Sequence, residues 1–203
     1  MSEKRGSALG DVFRIRIELD DVDPLIWRRI ELPVSATFWD LHCAIQDAMG
    51  WLDCHLHDFD VEGTRIGVPD PEEDDVLLPE WEIPLAKYLD QVHTFAYTYD
   101  FGDGWGHLVR VEGIHSSAAL GTRCIAGENA CPPEDCGGPC GYAELTEALS
   151  KPRSKSYREL REWLDGGHRK GYWPFDPRAF DETAVVFRDP NEALHILLKG
   201  LDS

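Results

Sequence analysis

The beginning of the chain alternates between apolar and polar side chains. Residues 12–19 place Phe13, Ile15 and Ile17 on one face of a predicted strand, with mainly charged residues on the other face. Residues 20–24 have turn composition, and residues 25–32 predict the second strand of a hairpin.

The pattern then changes to the three- and four-residue spacing of a helix. We predict an amphipathic helix over residues 37–49, with Ser35 as its N-cap and Gly50 as its C-cap. Its apolar stripe consists of Phe38, Leu41, Ile45 and Ala48.

A second hairpin follows, formed by residues 55–61 and 64–68 with a turn at Gly63. The order of two strands, one helix and two strands is typical of the ubiquitin-like β-grasp. We therefore predict an α+β protein with a β-grasp-like mixed sheet and one main helix.

A third hairpin is rich in aromatic residues. Phe95, Tyr97 and Tyr99 share one face of a strand, and residues 100–104 combine two glycines with two aspartates in a tight turn. Residues 105–112 return as a second strand, which we expect to join the same sheet.

The chain after residue 116 is predicted to be a loop followed by helices. The loop is dense in Cys, Pro and Gly, and the helices cover residues 142–149 and 156–166 and a last helix capped by Asp189. Ser156 begins a capping-box pattern in the second of these helices.

These elements predict a flexible tail at residues 1–10 and a single domain at residues 11–203. The β-rich half covers about residues 11–115, and the loop and helical half covers about residues 116–203.

Composition narrows the function classes. The chain has 203 residues, 42% of them hydrophobic, and seven tryptophans, which indicates a folded protein with a sizeable core. It has no membrane-length apolar run and no signal-peptide core, so we predict a cytoplasmic protein with reduced cysteines and no membrane partner. Its net charge of −18 disfavours non-specific binding to nucleic acid and is typical of an acidic, soluble surface.

Four sequence segments resemble the Ri-plasmid ORF-3-like family. They are residues 97–107 (YTYDFGDGWGH), residues 132–138 (PPEDCGG) with the following Gly141-Tyr142, residues 24–29 (PLIWRR) and residues 175–181 (FDPRAFD). The resemblance spans roughly residues 12–200 and implies an α+β domain of unassigned activity, sometimes labelled a transposon passenger or resolvase-like protein. A serine recombinase needs a catalytic serine surrounded by arginines and a basic helix-turn-helix, and neither pattern is present here.

Four cysteines suggest a possible structural zinc site. Four thiolates can bind zinc tetrahedrally, but the paired C-x-x-C spacing of zinc knuckles is missing, so ordinary reduced cysteines are the favoured interpretation. The four residues are Cys124, Cys131, Cys136 and Cys140.

A second candidate site lies at the tip of the third hairpin. If the hairpins join one sheet, His57, Asp103 and His107 could converge with Glu134 or Asp135. Such a set could bind a divalent metal or act in acid–base catalysis. The favoured alternative is that the tip residues make hydrogen bonds that hold the turn.

We therefore favour a non-enzymatic binding or interaction module for an unidentified protein or small molecule. Its predicted site lies between the hairpin tip at residues 99–107 and the loop at residues 131–141. The alternatives are a metal-dependent enzyme that uses the same region and, less favoured, a nucleic-acid-associated protein of mobile elements. The candidate ligand-binding residues are Tyr99, Asp100, Asp103, Trp105, His107, Glu134 and Asp135.

Overall fold

A computed structural model describes residues 10–70, 77–89, 91–119, 121–166 and 171–201, and it shows an α+β protein. Among these residues, the strands are β1 Gly10–Leu19, β2 Trp27–Pro33, β3 His57–Val61, β4 Thr64–Gly67, β5 Leu78–Pro79, β6 Thr94–Tyr99, β7 Trp105–Ser117 and β8 Arg123–Glu128. The α-helices are α1 Phe38–Met49, α2 Ala86–Leu89, α3 Gly138–Leu149, α4 Lys155–Gly166 and α5 Pro190–Leu201. The predicted tail falls largely in residues 1–9, which lie outside the described residues.

The strands form one eight-stranded sheet in the order β5-β4-β3-β6-β7-β1-β2-β8. All neighbouring strands are antiparallel except β4 and β5, which pair in parallel. The three predicted hairpins are present, and the third one joins the same sheet as predicted. The β-grasp-like arrangement is not confirmed, because the β6–β7 hairpin lies between the first two hairpins and β1 pairs antiparallel with β7.

One strand occurs where the sequence predicted a loop. Strand β8 contains Cys124 and pairs antiparallel with β2, and Arg123 forms an ion pair with buried Glu31 on that neighbouring strand. The segment has no clear alternation of apolar and polar residues. Its strand conformation therefore comes from pairing with β2 rather than from local pattern.

Helix α1 packs against the sheet and forms the centre of the core. Its stripe residues Phe38, Leu41 and Ile45 are fully buried. Thr37, and not Ser35, caps its N-terminus, because the Thr37 hydroxyl accepts from the Asp40 N–H at 3.3 Å while the Asp40 carboxylate accepts from the Thr37 N–H at 2.7 Å. Gly50 ends the helix in a left-handed conformation, as predicted.

The helical half is also present, with one difference at a cap. The hydroxyl of Ser154, not Ser156, accepts from the N–H of Tyr157 at 3.0 Å, so α4 begins one residue earlier than predicted. The carboxylate of Asp189 accepts from the N–H of Asn191 at 2.9 Å at the start of α5, as predicted. Among the described residues, no helix combines the length and apolarity needed to cross a membrane.

Buried Arg28 connects the two halves. Its guanidinium donates to the carbonyl oxygens of Ala48, Glu128 and Asn129 at 2.9 Å, and the ring of Phe180 stacks on it at 3.7 Å. The segment of residues 24–29 and the segment of residues 175–181 therefore meet at this side chain.

Candidate metal-binding site

The hairpin tip and the cysteine-rich loop lie against each other. The Asp103 carboxylate accepts from the N–H of Gly137 at 3.0 Å. Gly138 has φ 67°, and a Cβ at this position would collide with the carbonyl oxygen of Asp103. The close approach of tip and loop therefore depends on glycine in both conformation and size.

Glu134 belongs to this loop, and its side chain is almost completely buried. Its Oε1 accepts from the N–H of Leu52 at 2.6 Å, and the hydroxyl of buried Tyr99 donates to the same carboxylate at 3.2 Å. Burial raises the pKa of Glu134, and these two hydrogen bonds oppose the rise.

His55 lies at the centre of three carboxylates. Its Nε2 is 3.1 Å from Asp135 Oδ1, 3.6 Å from Asp100 Oδ2 and 3.9 Å from Glu134 Oε2. This nitrogen atom is buried, and it forms no hydrogen bond with any residue that the structure describes. A buried polar atom in such a position points to an additional bonding partner.

In two of the carboxylates, backbone N–H groups hold one oxygen and the other oxygen faces His55, although the Tyr99 hydroxyl also lies 3.3 Å from Oε2 of Glu134. Oδ1 of Asp100 accepts from the N–H groups of Gly102 and Asp103 at 3.0 and 3.3 Å. Oε1 of Glu134 is held by the Leu52 N–H in the same way. Such outer hydrogen bonds are how proteins orient metal ligands.

Backbone conformation also marks this site. Asp100 and Asp135 adopt left-handed conformations with φ of 52° and 55°. Left-handed conformations cost energy for residues with a Cβ, although aspartate tolerates them better than most, and they are concentrated at functional sites. Both residues direct a carboxylate oxygen toward His55.

Two groups of metal-ligating atoms meet at His55. One includes Cys54 and Glu134, the other includes Asp100 and Asp135, and within each group the ligand atoms lie within 4.8 Å of one another. Atoms that share one zinc ion tetrahedrally at about 2.1 Å lie about 3.4 Å apart. The separations around His55 are close to that value, so small side-chain movements would suffice for a shared cation.

Two predicted residues, Trp105 and His107, lie in the core instead. His107 is paired across the sheet with Tyr97, and its Nδ1 lies 3.2 Å from the carbonyl oxygen of that residue. The ring contacts Trp51 edge to face, with the centroids 5.3 Å apart. Burial lowers the pKa of His107 to about 4, so this histidine is neutral at physiological pH.

His57 does not converge with His107 and Asp103 either. Its Nε2 lies 3.0 Å from both carboxylate oxygens of buried Glu80, and its ring stacks on that of His42 with the centroids 3.4 Å apart and the planes 6° apart. The metal-ligand arrangement predicted for His57 therefore does not form; its side chain lies beneath α1 rather than at the hairpin tip.

His42 is hydrogen-bonded at both nitrogens. Nε2 bonds the Asp53 carboxylate and Nδ1 bonds the Tyr97 hydroxyl, each at 2.9 Å. Burial, and to a smaller extent the neighbouring His57 ring, lower the pKa of His42. Burial raises the pKa of Asp53, but the His42 hydrogen bond and the charge of Arg188 outweigh it and lower this pKa to about 2.

The stacked pair is a poor cation site although His42, Asp53 and His57 lie close enough for one. The lone pairs of an imidazole lie in the plane of its ring. Because the two ring planes are nearly parallel, their lone pairs do not converge on a common point. This network is better suited to hydrogen bonding than to metal binding.

Sequence reasoning missed the central position of His55 among these carboxylates. Residues 55–61 were predicted to form a strand, which would place His55 and His57 on the same face. The strand begins only at His57, so His55 lies in the preceding connection and points to the hairpin tip. The adjacent residues Cys54 and His55, both of types that bind metals, were the sequence signal that could have indicated this position.

The four cysteines of the proposed zinc site are not gathered. Among the described residues, none of the groups of ligating side chains contains any of them. Cys124 lies in β8 and its thiol donates to the carbonyl oxygen of Ala126 at 3.5 Å. Burial raises the pKa of Cys136 to about 12. The four-thiolate site remains a prediction without support from a close approach of these sulfur atoms.

The fold and the site together define an α+β protein with a largely antiparallel sheet and a histidine–carboxylate cluster at one hairpin tip. The sequence profile of the plasmid pRiA4b ORF-3-like proteins matches residues 11–184, and the chain belongs to this family. It is 36% identical over 191 residues to the uncharacterized protein y4hQ of Sinorhizobium fredii, with 92% of each chain covered. The crystal structure of MM3350, a protein of unknown function from Methanosarcina mazei, matches with a TM-score of 0.76 and 37% identity, covering 89% of this chain and all of that one.

Proposed function

We propose that this protein is a binding module that holds a divalent transition-metal cation between the hairpin tip and the loop of residues 131–141. The observation that supports this proposal is the environment of His55 Nε2. Within the described part of the chain this atom is buried without a hydrogen bond, and it faces oxygen atoms of Asp100, Glu134 and Asp135.

The ligand types favour zinc, manganese or ferrous iron. One imidazole nitrogen with several carboxylate oxygens suits these ions, whereas calcium prefers six to eight oxygen ligands. The approach of three carboxylates also concentrates negative charge at one point. A bound cation would offset their mutual repulsion and the cost of burying Glu134.

The test is a calorimetric titration with Zn²⁺ and Mn²⁺ after chelator treatment under reducing conditions. We expect one cation per chain and at least a hundredfold weaker binding in His55→Ala, because that variant removes the ligand common to both groups of ligating atoms. Asp135→Asn should weaken binding less, since it removes only one partly exposed ligand.

His195→Ala is the matched control, because His195 is exposed on α5 and belongs to none of the ligating groups of the described residues. Equal affinity in the wild type and in His55→Ala would refute the proposed site. Loss of binding only in Cys136→Ser would instead favour the cysteine zinc site. The calorimetric measurement therefore separates the two metal hypotheses.

A metal-dependent enzyme is the second candidate function, and the raised pKa of Glu134 favours it. A carboxyl group that is protonated more readily than usual, next to a Lewis-acidic cation, is suited to acid–base catalysis. The test is hydrolysis of chromogenic phosphate and carboxylic esters by the cation-loaded protein. Activity lost in Glu134→Gln, with the cation still bound, would favour the enzyme.

The remaining hypothesis is association with nucleic acid of mobile elements. Nucleic-acid binding stays a prediction, and the net charge of −18 still counts against it. The cytoplasmic location also stays a prediction. Fluorescence anisotropy with labelled duplex DNA at two salt concentrations tests nucleic-acid binding. A DNA affinity that falls with added salt would support the hypothesis, and the absence of DNA binding at the lower salt concentration would refute it.

A further inference from the structure

Two hollows meet beside the stacked histidines, between α5 and the beginning of β3. Their volumes are about 480 Å³ and about 370 Å³, which is in the range of small-molecule sites. Four residues line both hollows: Leu56, His57, Val68 and Leu201.

The two stacked histidines differ in how they are hydrogen-bonded. Both nitrogens of His42 are bonded, one to Asp53 and one to Tyr97. His57 uses only Nε2, which contacts Glu80, and its Nδ1 has no hydrogen bond to any described residue. Among the described residues His57 therefore has one bonding position left, Nδ1 is not one of the buried atoms that lack a partner, and the residue lines both hollows.

Glu80 holds the His57 ring from the protein interior. Its side chain is completely buried, and both of its oxygens lie 3.0 Å from Nε2. A carboxylate on one imidazole nitrogen fixes the orientation of the ring and the chemistry of the other nitrogen. The pair thus presents a pre-oriented polar atom at a largely apolar hollow.

Three of the apolar side chains that line the hollows are exposed to water. Leu56, Phe101 and Leu201 are 66%, 51% and 52% exposed. Large apolar side chains grouped at one place on a surface indicate binding. The two arginines at the hollows already have carboxylate partners: Arg188 pairs with Asp47 and Asp53, and Arg65 pairs with Asp58.

We propose that these hollows bind a small neutral apolar molecule through a hydroxyl group bonded to Nδ1 of His57, with Glu80 as the positioning residue. A hydroxyl both donates and accepts, so it fits Nδ1 in either protonation state of the ring. Because both arginines among the described lining residues are paired, they leave no free positive charge there to attract an anion. Cys54 and His55 also line the larger hollow, but the hydroxyl bond uses His57 and Glu80, so this proposal does not rest on the proposed cation site.

The probes are 4-methylphenol and toluene, which differ only in the hydroxyl group. They are titrated into the ¹⁵N-labelled chain in the presence of chelator, and amide shifts are followed by NMR. We expect shifts around Leu56 and His57 and roughly tenfold tighter binding of 4-methylphenol, since toluene forms no hydrogen bond. The Nδ1 resonance of His57 should move only with 4-methylphenol.

His57→Phe keeps an aromatic ring but removes Nδ1, so the two probes should bind this variant equally. His195→Ala is the control and should retain the tenfold preference. If His57→Phe does not fold, Glu80→Gln replaces it, and the preference should fall several-fold because the ring loses its charged partner. Equal affinity of both probes for the wild type, or shifts away from the hollows, would overturn the proposal, and so would an unchanged preference in the variants.

Discussion

The buried histidines and His55 illustrate two uses of the same side chain. His42 belongs to α1, and both of its nitrogens are bonded to neighbouring side chains. His55 lies between the hairpin tip and the loop, and its Nε2 faces three carboxylates without a hydrogen bond. The first arrangement is complete within the chain, whereas the second lacks a bonding partner.

This difference shows why proximity alone does not identify a metal site. Both clusters bring ligating atoms within 4.8 Å of one another. At His42 and His57 the parallel rings direct their lone pairs side by side, and charged Arg188 already compensates Asp53. At His55 no arginine or lysine contacts the carboxylates among the ion pairs of the described residues, so a cation has a clear electrostatic role.

Removing a buried histidine should have the largest effect. His42→Ala leaves Asp53 and the Tyr97 hydroxyl without their partner and creates a cavity, so we expect the free energy of unfolding to fall by about 3–5 kcal/mol. Urea denaturation measures the change, and exposed His195→Ala should change it by less than about 0.5 kcal/mol. If His42→Ala lowered the free energy of unfolding by less than about 1 kcal/mol, the proposed structural role of the His42 hydrogen bonds would be wrong.

The pH dependence of stability should report on His107. Its pKa is about 4 in the folded chain and about 6.5 when unfolded, so between these values the unfolded state binds more protons. The free energy of unfolding should therefore fall by about 3 kcal/mol as the pH decreases from about 6.5 to about 4. His42, whose pKa is also lowered, acts in the same direction.

Urea denaturation at several pH values checks this prediction. His107→Phe keeps the ring contact with Trp51 but removes the titrating group, so its pH slope should be smaller than that of the wild type. An identical slope in the variant would show that other groups cause the acid sensitivity.

A cation should stabilise the folded chain through His55. At a free Zn²⁺ concentration of about a hundred times Kd, ligand binding adds about 2.7 kcal/mol to the free energy of unfolding. Unfolding with and without Zn²⁺ should show this gain in the wild type and in His195→Ala, but not in His55→Ala. The same gain in all three proteins would place the bound ion elsewhere.

The smallest effect should come from the contact between tip and loop. Gly138→Ala introduces a Cβ into a left-handed position and against the Asp103 carbonyl oxygen, so we expect a loss of about 1–2 kcal/mol in stability and weaker Zn²⁺ binding. Thermal unfolding and calorimetry measure both changes. Gly200→Ala is the control, since no atom lies within 4 Å of its added Cβ.

Local sequence pattern was sufficient for much of the fold. Alternating residues located β1 and β6, and three- and four-residue spacing located α1. It was insufficient where tertiary contacts choose between equivalent local options. Ser and Thr are both good N-cap residues, so the sequence allows either Ser35 or Thr37. Only Thr37 is placed so that its hydroxyl accepts from the Asp40 N–H while the Asp40 carboxylate accepts from the Thr37 N–H.

The site shows the same division. The amino-acid sequence by itself determined that a hairpin tip rich in Asp and Gly is followed by a loop with Glu134 and Asp135, because turn chemistry and strand alternation are local properties. Only the tertiary structure decided which histidine joins those acids. Strand β3 begins at His57 rather than at His55. The His57 side chain therefore turns inward to Glu80, whereas the His55 side chain turns to Asp100 and Asp135. That choice depends on where one strand begins to pair with its neighbour, which is a long-range property of the sheet.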